Sequence, residues 1–334
     1  MAVLELAPGE HTRARARAGF LLSVLAAAAL ALSGCVSLPQ SEALREAPPA
    51  DLARKAELTA VPFHVQDDFL CGPATLAMVF NAAGVKADVA GLTPQVYLPG
   101  RKGSLQVEML GATRRNGLVA YPLAPRLESV LREVSAGTPV VVLLNLSVRL
   151  LPLWHYAVVI GYDLDAGEVI LRSGKRERLA YPAALFEFLW QDSAHWAMVA
   201  LPPGRVAATA EEPGFAAAVA ALEQAGRRRE ARDAYRALLA RWPDSHVGLV
   251  GLGNTEYAMG DKAAAEAAFR RAARAHRDSA VAYNNLAHVL SELGRLVDAE
   301  AAARHAVSLG GPLQPEAEKT LEAILARRAQ APPR

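Results

Sequence analysis

The chain has 334 residues, of which 52% are hydrophobic and 21% charged, so it has the material for packed cores and is too long for one small module. Its net charge is only +2 at pH 7, and basic and acidic residues are mixed along the chain. Nucleic-acid binding needs a concentrated basic surface, so this composition argues against a nucleic-acid partner. We therefore expect a globular protein of about two domains.

The first 35 residues have the pattern of a secretory signal. Three arginines precede a charge-free apolar run over residues 18–32, which is shorter than the ~20 residues that a membrane-spanning helix needs. The run ends in Leu32-Ser33-Gly34-Cys35, which resembles the bacterial lipobox, where the cysteine is acylated. The alternative is an ordinary signal peptide with an incidental cysteine. The two residues after the cysteine, Val36 and Ser37, lack the aspartate that retains lipoproteins in the inner membrane, so the resemblance implies a lipid anchor in the outer membrane, with the protein facing the periplasm.

Residues 36–59 contain prolines and scattered charges, which predict a tether, and a domain is expected over residues 60–203. Its first half is predicted to be helical: Cys71-Gly72-Pro73 opens an apolar helix that Gly84 closes. Its second half consists of short β-branched or aromatic runs, which predict an antiparallel sheet. The predicted helices after the first span residues 105–116 and 127–135, and the predicted strands span residues 140–146, 155–162, 169–173 and 196–201.

The C-terminal third of the chain repeats itself. A linker over residues 204–212 follows Pro202 and Pro203, after which the sequence becomes alanine-rich, and Gly226, Gly260 and Gly294 are spaced 34 residues apart. This period resembles the tetratricopeptide repeat, which implies an all-α solenoid over residues 213–329, including a capping helix, that binds a protein or peptide partner. An unrelated alanine-rich bundle is the alternative. We expect the repeats to be self-contained, so that a fragment ending near residue 205 would fold.

The chain has two cysteines, Cys35 and Cys71, and lipidation of the first would leave the second as a lone thiol. Cys71 stands at the start of a predicted helix, where the helix dipole lowers a thiol pKa and favours the nucleophilic thiolate. The alternative is a buried, unreactive cysteine. Gln66 lies five residues upstream, and His155 begins a predicted strand that could bring an imidazole to the same place. No metal or cofactor is expected.

Two segments carry a closer resemblance. The segments Gln66-Asp-Asp-Phe-Leu-Cys-Gly-Pro-Ala74 and His155-Tyr-Ala-Val-Val-Ile-Gly-Tyr-Asp163 resemble the paired signatures of the bacteriocin-processing, double-glycine leader peptidases, a branch of the papain-like cysteine peptidases. The resemblance covers residues 60–203 and implies Cys71 as nucleophile, His155 as general base and Gln66 as oxyanion donor. That family usually joins this domain to an export transporter, whereas a lipid anchor and repeats are expected here.

One position departs from the family pattern. The family has an aspartate at the end of the strand that follows the histidine strand, and here Ser173 stands in that place. If Tyr162 pairs with Glu168 across the turn, Ser173 shares the face of His155 as its diagonal neighbour at roughly 7–8 Å. Ser173 could then orient the imidazole. Asp163 lies eight residues along the strand from His155, roughly 26 Å away, and cannot replace the missing carboxylate.

These observations predict an α+β papain-like cysteine peptidase domain followed by a tetratricopeptide-repeat solenoid. The first functional hypothesis is a cysteine peptidase that hydrolyses peptide bonds at the periplasmic face of the outer membrane. A second hypothesis uses the same thiol for acyl transfer to an amine or as a cell-wall amidase. A third is a scaffold lipoprotein with a weak or inactive peptidase fold, which binds partners through its repeats.

Overall fold

A computed structural model describes residues 38–66 and 69–330, so the predicted signal peptide and Cys35 lie outside the described residues. Seven strands of the described chain form one antiparallel sheet, in the order β2-β7-β3-β4-β5-β6, with β1 paired to the end of β4. Their bounds are β1 Lys55–Glu57, β2 Val119–Pro122, β3 Val140–Asn145, β4 Trp154–Asp163, β5 Glu168–Ser173, β6 Arg176–Pro182 and β7 Ala197–Leu201. The four predicted strands are present, and β1, β2 and β6 are additional.

Helices cover both faces of this sheet. On one face the alternate β4 residues Tyr156, Val158 and Ile160 pack with α2 (Cys71–Ala82), α3 (Val89–Val96) and α4 (Gln106–Arg115). On the other face Ala157 and Val159 pack with α5 (Leu127–Ser135) and α6 (Ala183–Gln191). Because successive side chains of a strand point to opposite faces, one continuous apolar strand can supply both cores. Helices α2, α4 and α5 correspond to the predicted ones.

The pairing of β4 with β5 differs from the predicted register. Asp163, and not Tyr162, stands opposite Glu168, which would move every later pair by one residue. A β-bulge then corrects the shift: Gly161 faces Ile170 and Val159 faces Leu171, which leaves Ile160 as the extra residue. A Cβ on Gly161 would lie 2.8 Å from the Ala56 carbonyl oxygen, so glycine is needed where β1 joins β4. Beyond the bulge the predicted register is restored.

The chain between residues 40 and 57, expected to be part of a tether, packs on the domain. Helix α1 (Pro39–Glu46) is held by the buried Glu187 carboxylate, which accepts hydrogen bonds from the backbone N–H groups of Gln40 and Ser41 at 3.0 and 2.7 Å. A carboxylate is favourable there because the first N–H groups of a helix have no partners within it. Strand β1 then pairs with β4. Proline content alone did not reveal these long-range contacts.

The C-terminal part is a run of antiparallel helices at the predicted 34-residue period, which confirms the all-α repeat architecture. Gly226, Gly260 and Gly294 each have positive φ and end the first helix of a pair. A Cβ on Gly253 would lie 2.4 Å from the Phe269 ring, which shows how closely paired helices approach. No helix in the described part of the chain is long and apolar enough to cross a bilayer. The helices are α7 Glu212–Gln224, α8 Arg228–Arg241, α9 His246–Ala258, α10 Lys262–Ala275, α11 Ala280–Glu292, α12 Leu296–Ser308 and α13 Gln314–Gln330.

The predicted linker that leads into the repeats is hydrogen-bonded to the domain that contains the sheet. The fully buried Glu133 carboxylate of α5 accepts hydrogen bonds from the backbone N–H groups of Ala208 and Thr209 and from the Thr209 hydroxyl, at 2.7 to 3.2 Å. The Phe215 ring of α7 packs against Tyr121 of β2, with centroids 5.7 Å apart. One hydrophobic core therefore continues from the sheet into the repeats.

Candidate active site

A cavity of about 850 Å³ lies where α2 begins beside the start of β4. Cys71, His155 and Gln66 all line it, so the structure brings three of the predicted site residues to one place. Cys71 is the first residue of α2 and is partly exposed, because the helix starts at the open end of the sheet. Large apolar side chains form much of the remaining wall: Phe69, Leu105, Leu146, Leu153 and Trp154.

His155 and Ser173 are in direct contact. The Nε2 atom of His155 and the Oγ atom of Ser173 are 2.9 Å apart, within hydrogen-bond distance. Val158 pairs with Arg172, so the next pair along the strands aligns Ala157 with Ser173 and puts Ser173 diagonally across from His155. Ser173 is 8% exposed, so little water competes for this bond. The contact fixes one ring nitrogen and leaves Nδ1 as the nitrogen that could face a substrate or the thiol.

The protonation state of Cys71 differs from the predicted thiolate. Burial raises the pKa of the Cys71 thiol, and hydrogen bonds from the backbone N–H groups of Tyr156 and Gly72 lower it by less. Burial also lowers the pKa of His155 to about 4. Both effects favour the neutral forms, so the resting pair at neutral pH is a thiol and an uncharged imidazole. The predicted lowering of the Cys71 pKa is therefore wrong, because loss of water outweighs the helix N-terminus.

The side-chain alternation of β4 puts Tyr156 and His155 on different faces of the sheet. Tyr156 packs towards the core of α2, whereas His155 has the parity of Ala157, which packs on the opposite face. Both Cys71 and His155 nevertheless line the same cavity, at the end of the strand. Among the described residues, the side-chain hydrogen bond of His155 is the one to Ser173.

Gln66 is 5% exposed, and its amide is fully engaged. Its Oε1 accepts a hydrogen bond from the Gly174 N–H at 2.7 Å, which fixes the orientation of the amide. Its Nε2 donates to the Thr75 hydroxyl at 3.1 Å and to the Tyr156 carbonyl at 3.3 Å. Its backbone N–H also donates to the Gly174 carbonyl at 3.1 Å. Gln66 thus links α2, β4 and the turn after Ser173, and its predicted role as oxyanion donor stays a prediction.

Two residues with strained backbone conformations line this cavity. Phe69 and Lys102 both have positive φ, at 65° and 47°, and the Lys102 ammonium lies 5.7 Å from the centre of the Phe69 ring. Non-glycine residues in this conformation are uncommon and gather at functional sites. Gly72, next to Cys71, is in close contact with the opposite wall: a Cβ there would lie 2.3 Å from the Ser104 Oγ. Only glycine fits beside the thiol without moving that wall.

Sequence reasoning missed the two residues that hold Gln66. Thr75 lies four residues after Cys71, so it shares the face of α2 that carries the thiol. Gly174 follows Ser173 directly and has a φ of 61°, which suits the turn into β6. The i+4 spacing on a predicted helix was a usable signal for Thr75. The long-range bond to Gly174 left no local pattern.

Comparison with known proteins agrees with this architecture. Residues 58–195 match the Peptidase_C39 like family, and residues 215–245 and 280–309 match tetratricopeptide repeat families. No curated protein matches the chain.

Solved structures resemble parts of the chain. A Bacillus anthracis protein described as a C39-like peptidase aligns at 19% identity with a TM-score of 0.38, covering 46% of this chain and 100% of its own. The first tetratricopeptide domain of human RPAP3 aligns at 20% identity with a TM-score of 0.34, covering 36% and 93%. The Yersinia enterocolitica secretion chaperone SycD, in complex with a peptide of the translocator YopD, aligns at 22% identity with a TM-score of 0.32, covering 34% and 92%.

The family matches confirm the fold class and the resemblance inferred from the two motif segments. The sheet with its flanking helices coincides with the matched segment 58–195, and the helical pairs at the 34-residue period include both matched repeats. The chain therefore carries a Peptidase_C39-like domain followed by tetratricopeptide repeats.

Proposed function

We propose that the domain is a cysteine peptidase in which Cys71 is the nucleophile and His155 the proton carrier. The observation that supports this most is that Cys71 and His155, whose ring is hydrogen-bonded to Ser173, line one cavity of about 850 Å³. A nucleophile on one element, a base on another and a third group that orients the base is the arrangement that covalent catalysis uses.

In this proposal the proton leaves the thiol during the attack. The Cys71 sulfur bonds to the substrate carbonyl carbon while His155 accepts the thiol proton, because both groups rest in their neutral forms. The imidazolium then gives that proton to the leaving amine, the C–N bond breaks, and a thioester remains. Water, deprotonated by His155, releases the acid and restores the thiol. The Ser173 hydroxyl keeps the ring in place throughout.

The developing oxyanion needs hydrogen-bond donors beside Cys71. The backbone N–H groups of Cys71 and Gly72 lie in the first turn of α2, where a helix leaves its N–H groups without intrahelical partners. The Gln66 amide joins them in this proposal if it turns away from Thr75 when substrate enters. Removing one oxyanion donor from a working site typically costs about 10²- to 10³-fold in rate.

The location and the partner belong to the same proposal. The arginine-flanked apolar run and the lipobox-like sequence at Cys35 support a lipid-anchored protein of the outer membrane that faces the periplasm. The repeats support binding of a protein or peptide partner, since stacked helical repeats form an extended concave surface. The relatives in complex with peptides, SycD among them, are consistent with that role.

The second candidate is a scaffold with an inactive site. Two observations favour it: Ser173 stands where a carboxylate would stabilise an imidazolium, and burial disfavours the charged forms of both Cys71 and His155. Acyl transfer to an amine or cell-wall amidase activity at the same thiol is a variant of the first proposal. It differs in what attacks the thioester.

A peptide carrying a thiol-reactive electrophile separates these candidates. With the full-length chain we expect a covalent adduct on Cys71 by mass spectrometry, none with Cys71→Ala, and slow formation with His155→Gln. Hydrolysis of unmodified peptide libraries, with and without an added amine, then distinguishes hydrolase from transferase. An adduct that forms equally fast with His155→Gln, together with no peptide turnover, would leave the scaffold reading.

A further inference from the structure

The loop between β3 and β4, residues 146–153, is a built feature of the surface beside the cavity; we name it the apical loop. Its base is closed by a bond from the Leu146 N–H to the Leu153 carbonyl at 2.9 Å. The buried Asn145 side chain accepts from the N–H groups of Ser147 and Leu153, at 3.1 and 2.9 Å. The base of the loop is therefore fixed by hydrogen bonds to the backbone.

The tip of the apical loop is apolar and almost completely exposed. Leu150 is 90% exposed, Leu151 73% and Val148 63%, which is unusual for large aliphatic side chains on an ordered loop. None of the three lines the cavity, so a peptide bound there would leave them in water. Exposed apolar side chains at the tip of a loop are better suited to enter a lipid layer than to bind an extended peptide chain.

The charged side chains of the apical loop and of the cavity wall are basic. The Arg149 side chain, between Val148 and Leu150, is 91% exposed, and Arg101, Lys102 and Lys175 line the cavity mouth. The nearby carboxylate of Asp192 is engaged by the Asn145 amide at 2.8 Å and by Arg149 at 3.7 Å. Exposed aliphatic groups flanked by cations are the pattern of segments that enter the headgroup region of an anionic bilayer.

We infer that the apical loop docks on an anionic lipid surface, with Leu150 and Leu151 inserted between the headgroups. This inference rests on the proposed membrane location. It adds that the cavity faces the bilayer, because Leu153 and Trp154 at the base of the loop also line the cavity. The substrates that reach Cys71 are then peptides held at the membrane surface, such as the extended ends of membrane-anchored proteins.

Trp154 reports on this contact because it is 46% exposed at the base of the loop, whereas Trp190 is fully buried. We would reconstitute the full-length chain into phosphatidylglycerol and phosphatidylethanolamine vesicles whose acyl chains carry bromine, and measure quenching of tryptophan emission, with Trp154→Phe as the subtraction. We expect quenching that is lost in the double variant Leu150→Ser with Leu151→Ser and weakened by salt, since ~1 M salt shortens the screening length to ~3 Å.

The matched control is Leu293→Ser with Val297→Ser, which removes exposed aliphatic side chains from the repeats and should leave quenching unchanged. Cys71→Ala should also quench normally, which separates docking from catalysis: a chain without peptidase activity can still dock. Equal quenching in the apical-loop variant and the wild type, or none in either, overturns the inference. A change in Trp154 emission that appears only with added peptide would also overturn it. So would self-association of the chain that the apical-loop variant abolishes.

Discussion

The low pKa of His155 predicts a specific loss of stability in mild acid. The folded-state pKa is about 4 because of burial, against an ordinary value of 6.5. The unfolded chain therefore binds a proton at His155 between these two pH values while the folded chain does not, so stability falls as the pH drops through this window. The difference between these two pKa values corresponds to at most about 3 kcal/mol of unfolding free energy, of which about 2 kcal/mol is already lost at pH 5.

The assay is urea unfolding of the wild type and of His155→Gln at pH 7 and pH 5. The variant lacks the titrating group, so the wild type should lose about 2 kcal/mol more than the variant over this interval. The other histidines titrate in both proteins, so their contributions cancel. Burial also lowers the pKa of His195, so His195→Gln is the matched control for a histidine away from the thiol. Equal pH dependence in wild type and His155→Gln would refute the neutral, buried imidazole.

Three further predictions follow from the site and the junction. Alkylation of Cys71 by a neutral reagent should reach its midpoint at a higher pH than alkylation of an exposed cysteine in a peptide, because burial raises the thiol pKa; a plateau below pH 7 would indicate an ion pair with His155. Ser173→Ala should reduce peptidase activity about fivefold, since a neutral hydrogen bond contributes about 1 kcal/mol, and should lower the free energy of unfolding in urea by about 1 kcal/mol, because the bond is already present in the resting fold. A fragment ending at residue 204 should be less stable than one ending at residue 211 by about 1–3 kcal/mol, because the Glu133 carboxylate loses its three hydrogen bonds; equal urea midpoints would contradict this.

The elements that could be predicted are those with strong local signals. The start of α2 at Cys71 follows from the Gly-Pro pair and its closing glycine, and the 34-residue spacing of glycines predicts the helical pairs. The partnership of His155 with Ser173 was also predicted, although the pairing assumed at the turn was one residue off. The bulge at Ile160 compensates that error, so the correct contact was reached from an incorrect register.

The features that could not be predicted depend on distant parts of the chain. The neutral state of Cys71 is set by how deeply α2 packs against β4, which no helix-terminus rule measures. The buried Arg172 donates to the carbonyls of Thr59 and Val61 and so fixes the chain that leads to Gln66. The local sequence alone would predict that an arginine in an apolar strand faces solvent. Its carbonyl partners come near only in the folded chain.

The junction changes how the repeats can act. The sequence suggested an independent module on a proline-rich linker, whereas Glu133 binds the backbone at Ala208 and Thr209, and Arg241 of α8 donates to the Ala207 carbonyl at 2.8 Å. A flexible linker would lower the effective concentration of a bound peptide at the cavity by spreading it over many positions. A packed junction removes that freedom. The shared core around Tyr121 and Phe215 fixes the position of the first repeat relative to the sheet. A partner bound by the repeats would therefore approach Cys71 from one fixed direction or would not reach it.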